Sequence, residues 1–274
     1  MATINTIAAT ENLAAKPLPA WNFPQQALRA TTLLAGREVK LALRTPAYLV
    51  PNLIVPIFFY FITLGSLETF AAGFGLTNFE GFLLPMALLF AVQGGSAGLN
   101  MVADIESGYF DKLLLTPASR AALLIGAMSA DFFRIMAQAV LVLIVALLTG
   151  LSFETGLPGA ITLILIASLF GLVYSGIGFG MALKTGNAQA TQSMWFLFMP
   201  LMFLTTLFAP KEALSGWLEV AATINPMTYI LEGMRALSMK GWDLAEIGYG
   251  LLAIGGLGIV SMGFAFSALR GRVG

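Results

Sequence analysis

The densest run of side chains able to do chemistry lies between Asp104 and Arg120, where Asp104, Glu106, Asp111 and Lys112 surround Gly108-Tyr109-Phe110. What such a run can do is narrowed by what the chain lacks. It has no His and no Cys, which removes imidazole bases, His-Glu-x-x-His zinc sites, thiolate nucleophiles, Cys-ligated metals and disulfides. The pattern Gly-x-x-x-x-Gly-Lys-Ser/Thr does not occur, so ATP has no phosphate-binding loop here. Elsewhere the acids are scattered, with no paired carboxylates set to face one lumen. No catalytic, cofactor or metal site emerges.

The elements that must position these residues can be read from composition. Of 274 residues, 58% are hydrophobic and 10% charged, against about 25% charged in an ordinary soluble domain. With a mean hydropathy of +0.86, so few charges cannot cover a water-soluble globule. An integral membrane protein is expected, all-α in class. Lys and Arg number 14 and Asp and Glu 14, leaving no basic field for nucleic acid.

A helix crossing the ~30 Å hydrocarbon core needs about 20 mostly apolar residues. Six stretches meet that need: Pro46–Leu67, Phe82–Val102, Leu123–Thr149, Ala160–Leu183, Ser193–Phe208 and Gly248–Leu269. Residues 1–24 hold no unbroken apolar core behind a basic start and read as a polar tail, not a cleaved signal peptide. Residues 25–272 then form one six-span domain. Gly94 with Gly98, and Gly176 with Gly180, let helix backbones approach closely, and packing inside the chain is favoured over a dimer seam.

Lys and Arg placement sets the orientation. Lys16, Arg29, Arg37, Lys40 and Arg44 precede the first span; Lys112, Arg120, Lys184, Arg270 and Arg272 come after the second, fourth and sixth. The opposite loops near residues 68–81 and 150–159 carry acids and no Lys or Arg. Both termini are expected in the cytoplasm. Arg37, Lys40 and Arg44 share one stripe of a helix running into the first span, which suits the lipid headgroup boundary or a cytoplasmic partner.

Four further groups matter. The run from Asp104 to Arg120 reads as acids, a short amphipathic helix, and a break at Pro117, with Thr116 or Ser119 capping the next helix. It is either a solvated turn or, since Tyr109, Phe110, Leu113 and Leu114 are apolar for a bare loop, a segment that docks into another protein. Asp131 and Arg134 are one helical turn apart and can pair. They are expected as a neutralised pair reaching toward the cytoplasm. Asn225-Pro226 separates two short amphipathic helices, with Asn as N-cap and Pro in the first turn. In the second helix Met227, Ile230, Leu231, Met234 and Leu237 make an apolar stripe, with Glu232 and Arg235 paired off it. Trp217, Tyr229 and Trp242 suit a membrane interface. Lastly, Gln93, Asn100, Phe198, Met202 and Phe203 are candidates for lining a pathway, although such Met and Phe stripes more often pack a core or face lipid.

This arrangement resembles the type-2 ABC exporter permeases. The likeness rests on the inner run ending Leu-Leu-Leu-Thr-Pro-Ala-Ser-Arg, on Pro200 to Glu212, and above all on Asn225-Pro226-Met227-Thr228-Tyr229 followed by Glu232-Gly233-Met234-Arg235. Within that family Gly180 to Gln189 and the exit sequence look most like the daunorubicin-type antibiotic exporters, while Leu214-Ser215-Gly216-Trp217 lacks the usual Pro before Gly-Trp.

The resemblance implies six membrane helices, an N-terminal interfacial helix with Arg37, Lys40 and Arg44, and a re-entrant helical hairpin between spans five and six. It also implies a cytoplasmic coupling helix over Glu106–Leu115, with Asp104 and Arg120 beside it. Two cytoplasmic ATPase chains, which carry the ATP and Mg, and a second permease chain would complete a bacterial inner-membrane exporter of amphipathic molecules. The alternatives are a lipo-oligosaccharide or polysaccharide exporter and an ion-coupled secondary carrier; the latter wants inverted repeats, and none is evident between the two halves.

Overall fold

The computed structural model describes residues 46–73, 78–93, 97–115 and 119–273, together with residues 32, 33 and 36. The tail of residues 1–24, the basic helix bearing Arg37, Lys40 and Arg44, and the positions Gly94, Thr116 and Pro117 lie outside the described residues. Among those described, all regular structure is helical. The order is α1 (Pro46–Gly73), α2 (Phe79–Gln93), α3 (Ala97–Glu106), α4 (Tyr109–Leu114), α5 (Arg120–Leu148) and α6 (Gly156–Thr185). Then come α7 (Ala188–Gln192), α8 (Met194–Phe203), α9 (Trp217–Ile224), α10 (Pro226–Arg235) and α11 (Leu244–Val273). A π-helical turn, Ala236–Lys240, continues α10.

Five stretches among the described residues are long and apolar enough to cross a membrane: Asn52–Thr69, Phe79–Glu106, Arg120–Leu148, Gly156–Thr185 and Leu244–Arg272. They overlap five of the six expected spans. The residues expected as the fifth, Ser193–Phe208, do not form one long helix. α8 has 10 residues, which rise about 15 Å, half of the hydrocarbon core. The backbone from Leu204 to Ala209 is irregular. Hydropathy cannot register the cause. Pro200 removes an N–H inside α8, and the Thr205 hydroxyl donates to Met202 O at 2.6 Å, drawing that carbonyl away from the helix ladder.

The helix ends obey local rules. Ser119 Oγ accepts from Ala122 N at 3.2 Å and starts α5; Asn225 Oδ1 accepts from Met227 N at 3.0 Å and starts α10, with Pro226 in its first turn. Thus both capping expectations hold.

In lipid, helices gain little from hiding apolar surface from each other, so close backbone packing decides which ones associate. α6 is the hub. A Cβ added at Gly98 of α3 would lie 2.7 Å from Gly178 O, so only glycine permits this crossing of α3 and α6. Gly176 and Gly180 face Ser261 and Phe264 of α11, which places that pair within the chain as expected. Ser261 Oγ adds a hydrogen bond to Val173 O at 2.7 Å. α2 is buried on every side, whereas α1 and α11 leave broad apolar faces uncovered. Two apolar clusters result. The larger joins α1, α2, α5, α6, α8, α10 and α11. The smaller, Met101, Val102, Phe110, Leu124, Met128, Phe179, Ala182, Leu183, Ala265 and Leu269, closes the end of the bundle where α3 turns into α4.

Candidate functional site

The acidic run forms an elbow. α3 ends at Glu106, Gly108 N–H donates to Ile105 O at 3.0 Å, and Gly108 takes φ 68°, a left-handed turn open to glycine at little cost. This turn sends the chain into α4, which has 6 residues and is too short to hold itself. Its anchor is Phe110, 3% exposed and set among Met101, Val102, Leu124 and Phe179. Phe110, one of the four apolar residues on which the docking expectation rests, therefore faces its own bundle. The opposite face carries Glu106, Asp111, Lys112 and the half-exposed Tyr109, ending at Leu115, which is 88% exposed. Asp104 is half-buried on α3, and Arg120 is exposed at the start of α5.

Asp131 and Arg134 do pair, with Arg134 Nε donating to Asp131 Oδ1 at 3.0 Å. They do not reach solvent: both are buried by protein, about 17 Å and 21 Å along α5 from its first residue. Gln138, not singled out by sequence, extends the pair into a ladder by accepting from Arg134 Nη1 at 3.3 Å. It sits four residues beyond Arg134 on the same face, the one sequence clue available. Among the described residues, Asp131 Oδ2 and Gln138 Nε2 are buried without a hydrogen-bond partner.

The third constellation surrounds α10, where the Asn225 side chain works at both ends. Beyond capping the helix, its Nδ2 donates to Leu201 O at 2.5 Å and Leu204 O at 2.8 Å, carbonyls released where α8 unwinds. The Tyr229 hydroxyl donates to Thr223 O at 2.7 Å, tying α10 to α9. The sequence pattern sets Arg235 off the buried stripe of α10. Instead it is 2% exposed, among the largest fully buried side chains described. Its Nε donates to Phe82 O at 3.2 Å, Nη2 to Leu207 O at 2.9 Å, and Nη1 to Glu232 Oε1 at 2.8 Å and Thr206 Oγ1 at 3.1 Å. Thr206 also donates to Glu232 Oε1. The guanidinium lies 3.6 Å from the Phe82 ring centroid. A cation this deep is tolerated because its charge is paired and its donors are used.

Around this knot Asn78 Nδ2 donates to Ser152 O at 3.0 Å and Ser238 O at 3.3 Å, and Thr155 Oγ1 to Leu237 O at 2.6 Å. Sequence reasoning missed Asn78, Thr155 and Ser238, whose partners are backbone carbonyls far along the chain, and Thr206, whose partners are the side chains of Glu232 and Arg235. α10 rests on α11 through glycine: a Cβ at Gly233 would lie 3.0 Å from Glu246 O, and one at Gly250 3.0 Å from Tyr229 O. Trp217 and Trp242 are exposed.

Of the candidate pathway residues, Gln93 Nε2 donates to Met202 Sδ at 2.9 Å, and Phe198 packs edge-on against Tyr174 with centroids 4.5 Å apart. Gln93, Met202 and Phe198 are thus buried where α2, α6 and α8 meet. Phe203 turns outward and Asn100 is half-buried on α3.

Residues 29–239 match the ABC-2 type transporter family, and the chain belongs to it. Members of this family supply the membrane subunit, work with separate ATPase subunits and often dimerise. A daunorubicin resistance ABC transporter permease protein, DrrB1, of Streptomyces coeruleorubidus is 27% identical over 156 residues, 55% of this chain and 54% of that protein. The chain therefore spans about half the length of that relative. A putative transport permease, ycf38, of Cyanophora paradoxa is 28% identical over 229 residues, 77% of each chain. A probable doxorubicin resistance permease, DrrC, of Mycobacterium tuberculosis is 23% identical over 161 residues, 58% of each.

Proposed function

We propose that this chain is the membrane-spanning subunit of an ATP-driven exporter that moves amphipathic, drug-like or lipid-like molecules out of the cytoplasm or inner leaflet. The observation that carries the reading is the elbow. A short helix pinned from beneath by Phe110, with Glu106, Asp111, Lys112, Tyr109 and Leu115 outward, is a surface built to receive force and pass it into the bundle. Two cytoplasmic ATPase chains, carrying the ATP and Mg, would grip it. A second permease chain, identical or paralogous, would cover part of the apolar surface of the bundle, the rest facing lipid.

The membrane is taken to be a bacterial inner membrane, with both termini cytoplasmic, a reading supported by the excess of Lys and Arg on that side. There are six crossings. α7, α8 and the irregular segment to Ala209 together make the fifth, and α9 with α10 forms a re-entrant hairpin over the exit. Backbone that is not helical is tolerated at such depth when protein donors satisfy it, as Asn225 and Arg235 do here. The drug names of the Streptomyces and Mycobacterium relatives favour a drug-like substrate over a polysaccharide.

The test is Glu106→Ala in the complex reconstituted with its ATPase, with doxorubicin as the probe. Hydrolysis should continue while drug movement falls. Normal drug movement at a normal ratio to hydrolysis would refute the assigned role of the elbow.

A further inference from the structure

Pro85 sits inside α2. A proline has no N–H, so the carbonyl four residues back, Gly81 O, loses its partner within the helix and is crowded by the ring. This carbonyl and the next, Phe82 O, are met from outside. Ser238 Oγ donates to Gly81 O at 2.8 Å, closer than it approaches Arg235 O at 3.2 Å or Met234 O at 3.5 Å in its own helix. Arg235 Nε takes Phe82 O at 3.2 Å. Both donors stand where α10 widens into the π turn, a distortion frequent at functional sites.

The first turn of α2 thus hangs on α10 by side chains, where an ordinary helix would be closed by its own backbone. The same chain continues from α2 through α3 to the elbow at Gly108, while α10 also holds Leu207 O of the irregular segment. We propose that Ser238, with Arg235 beside it, is a positioning residue. It replaces the donor that Pro85 lacks, and in doing so tethers α2 to α10, so that movement of the elbow reaches the exit helices. This rests on the reading of the chain as an ATP-driven permease.

A purely structural role and a tether separate in one experiment. Pro85→Ala returns an N–H to Gly81 O, so Ser238 is no longer needed to satisfy that carbonyl but is still needed to link the two helices. Thermal unfolding is measured on the permease alone, and doxorubicin transport per ATP on the reconstituted complex. Ser238→Ala should lower the unfolding temperature by about 3–8 °C and transport per ATP by about fivefold or more. In Pro85→Ala/Ser238→Ala the unfolding temperature should return to that of Pro85→Ala, while transport per ATP stays low. Recovery of both would reduce Ser238 to scaffold, and recovery of neither would show that it does not stand in for the Pro85 donor; each overturns the proposal. Absence of ATP-driven transport by the unmodified complex would instead refute the exporter reading, a result the thermal shifts do not share.

Discussion

Removing the Phe110 ring should undock the elbow while leaving the bundle folded. The ring is 3% exposed among Met101, Val102, Leu124 and Phe179, and truncating such a Phe to Ala costs about 3–5 kcal/mol. α4 has 6 residues and no self-sufficient helix to fall back on. The larger apolar cluster does not include Phe110 and keeps the rest of the protein together. At 1.4 kcal/mol per tenfold, a loss of about 3 kcal/mol raises the undocked fraction roughly hundredfold. Limited trypsin digestion reads this directly, because Lys112 lies within α4. In Phe110→Ala, cleavage after Lys112 should accelerate by about two orders of magnitude and transport coupled to the ATPase should be lost, while the bundle still unfolds cooperatively at a lowered temperature. Leu115→Ala, at a side chain 88% exposed, should leave the cleavage rate unchanged. An unaltered cleavage rate in Phe110→Ala would refute the argument that this ring holds the elbow.

Gly250→Leu should separate α10 from α11 and cost about 1–3 kcal/mol, seen as a lower unfolding temperature, because even a Cβ there lies 3.0 Å from Tyr229 O. Gly255→Leu, on the same helix with nothing within 4 Å of its Cβ position, should be neutral by the same measurement. Asp131→Ala leaves Arg134 buried without its carboxylate and should cost about 3–5 kcal/mol. The triple replacement Asp131→Leu/Arg134→Met/Gln138→Leu should recover most of that stability in thermal unfolding, since it removes the whole ladder and its two unpartnered atoms.

What is legible in the sequence is local. The caps at Ser119 and Asn225 depend on residues two or three positions away, and the structure forms both. The long apolar helices follow from length and hydropathy, which need no knowledge of neighbours. Misreadings arise where the deciding partner is distant. Amphipathicity marks Phe110 as apolar on a short helix but cannot say whether another protein or its own bundle receives the ring. Charge normally leaves an apolar stripe, which sets Arg235 outside; the carbonyls of Phe82 and Leu207, far along the chain, draw it in. The residues expected as the fifth span look continuous because a hydropathy average passes over the end of the helix at Phe203 and the irregular backbone at Thr205. Ser238 has no signal of its own, yet Pro85 announces that some donor must come to Gly81.

A subunit moved by force from an ATPase has no driving mechanism of its own. Vesicles containing the purified chain, with and without its ATPase, under an imposed proton or sodium gradient and with ATP supplied separately, distinguish the two sources of energy. No uphill doxorubicin flux is expected from the chain alone under any gradient, and flux should begin with ATP once the ATPase is present. Gradient-driven uphill flux from the chain alone would overturn the ATP-driven reading.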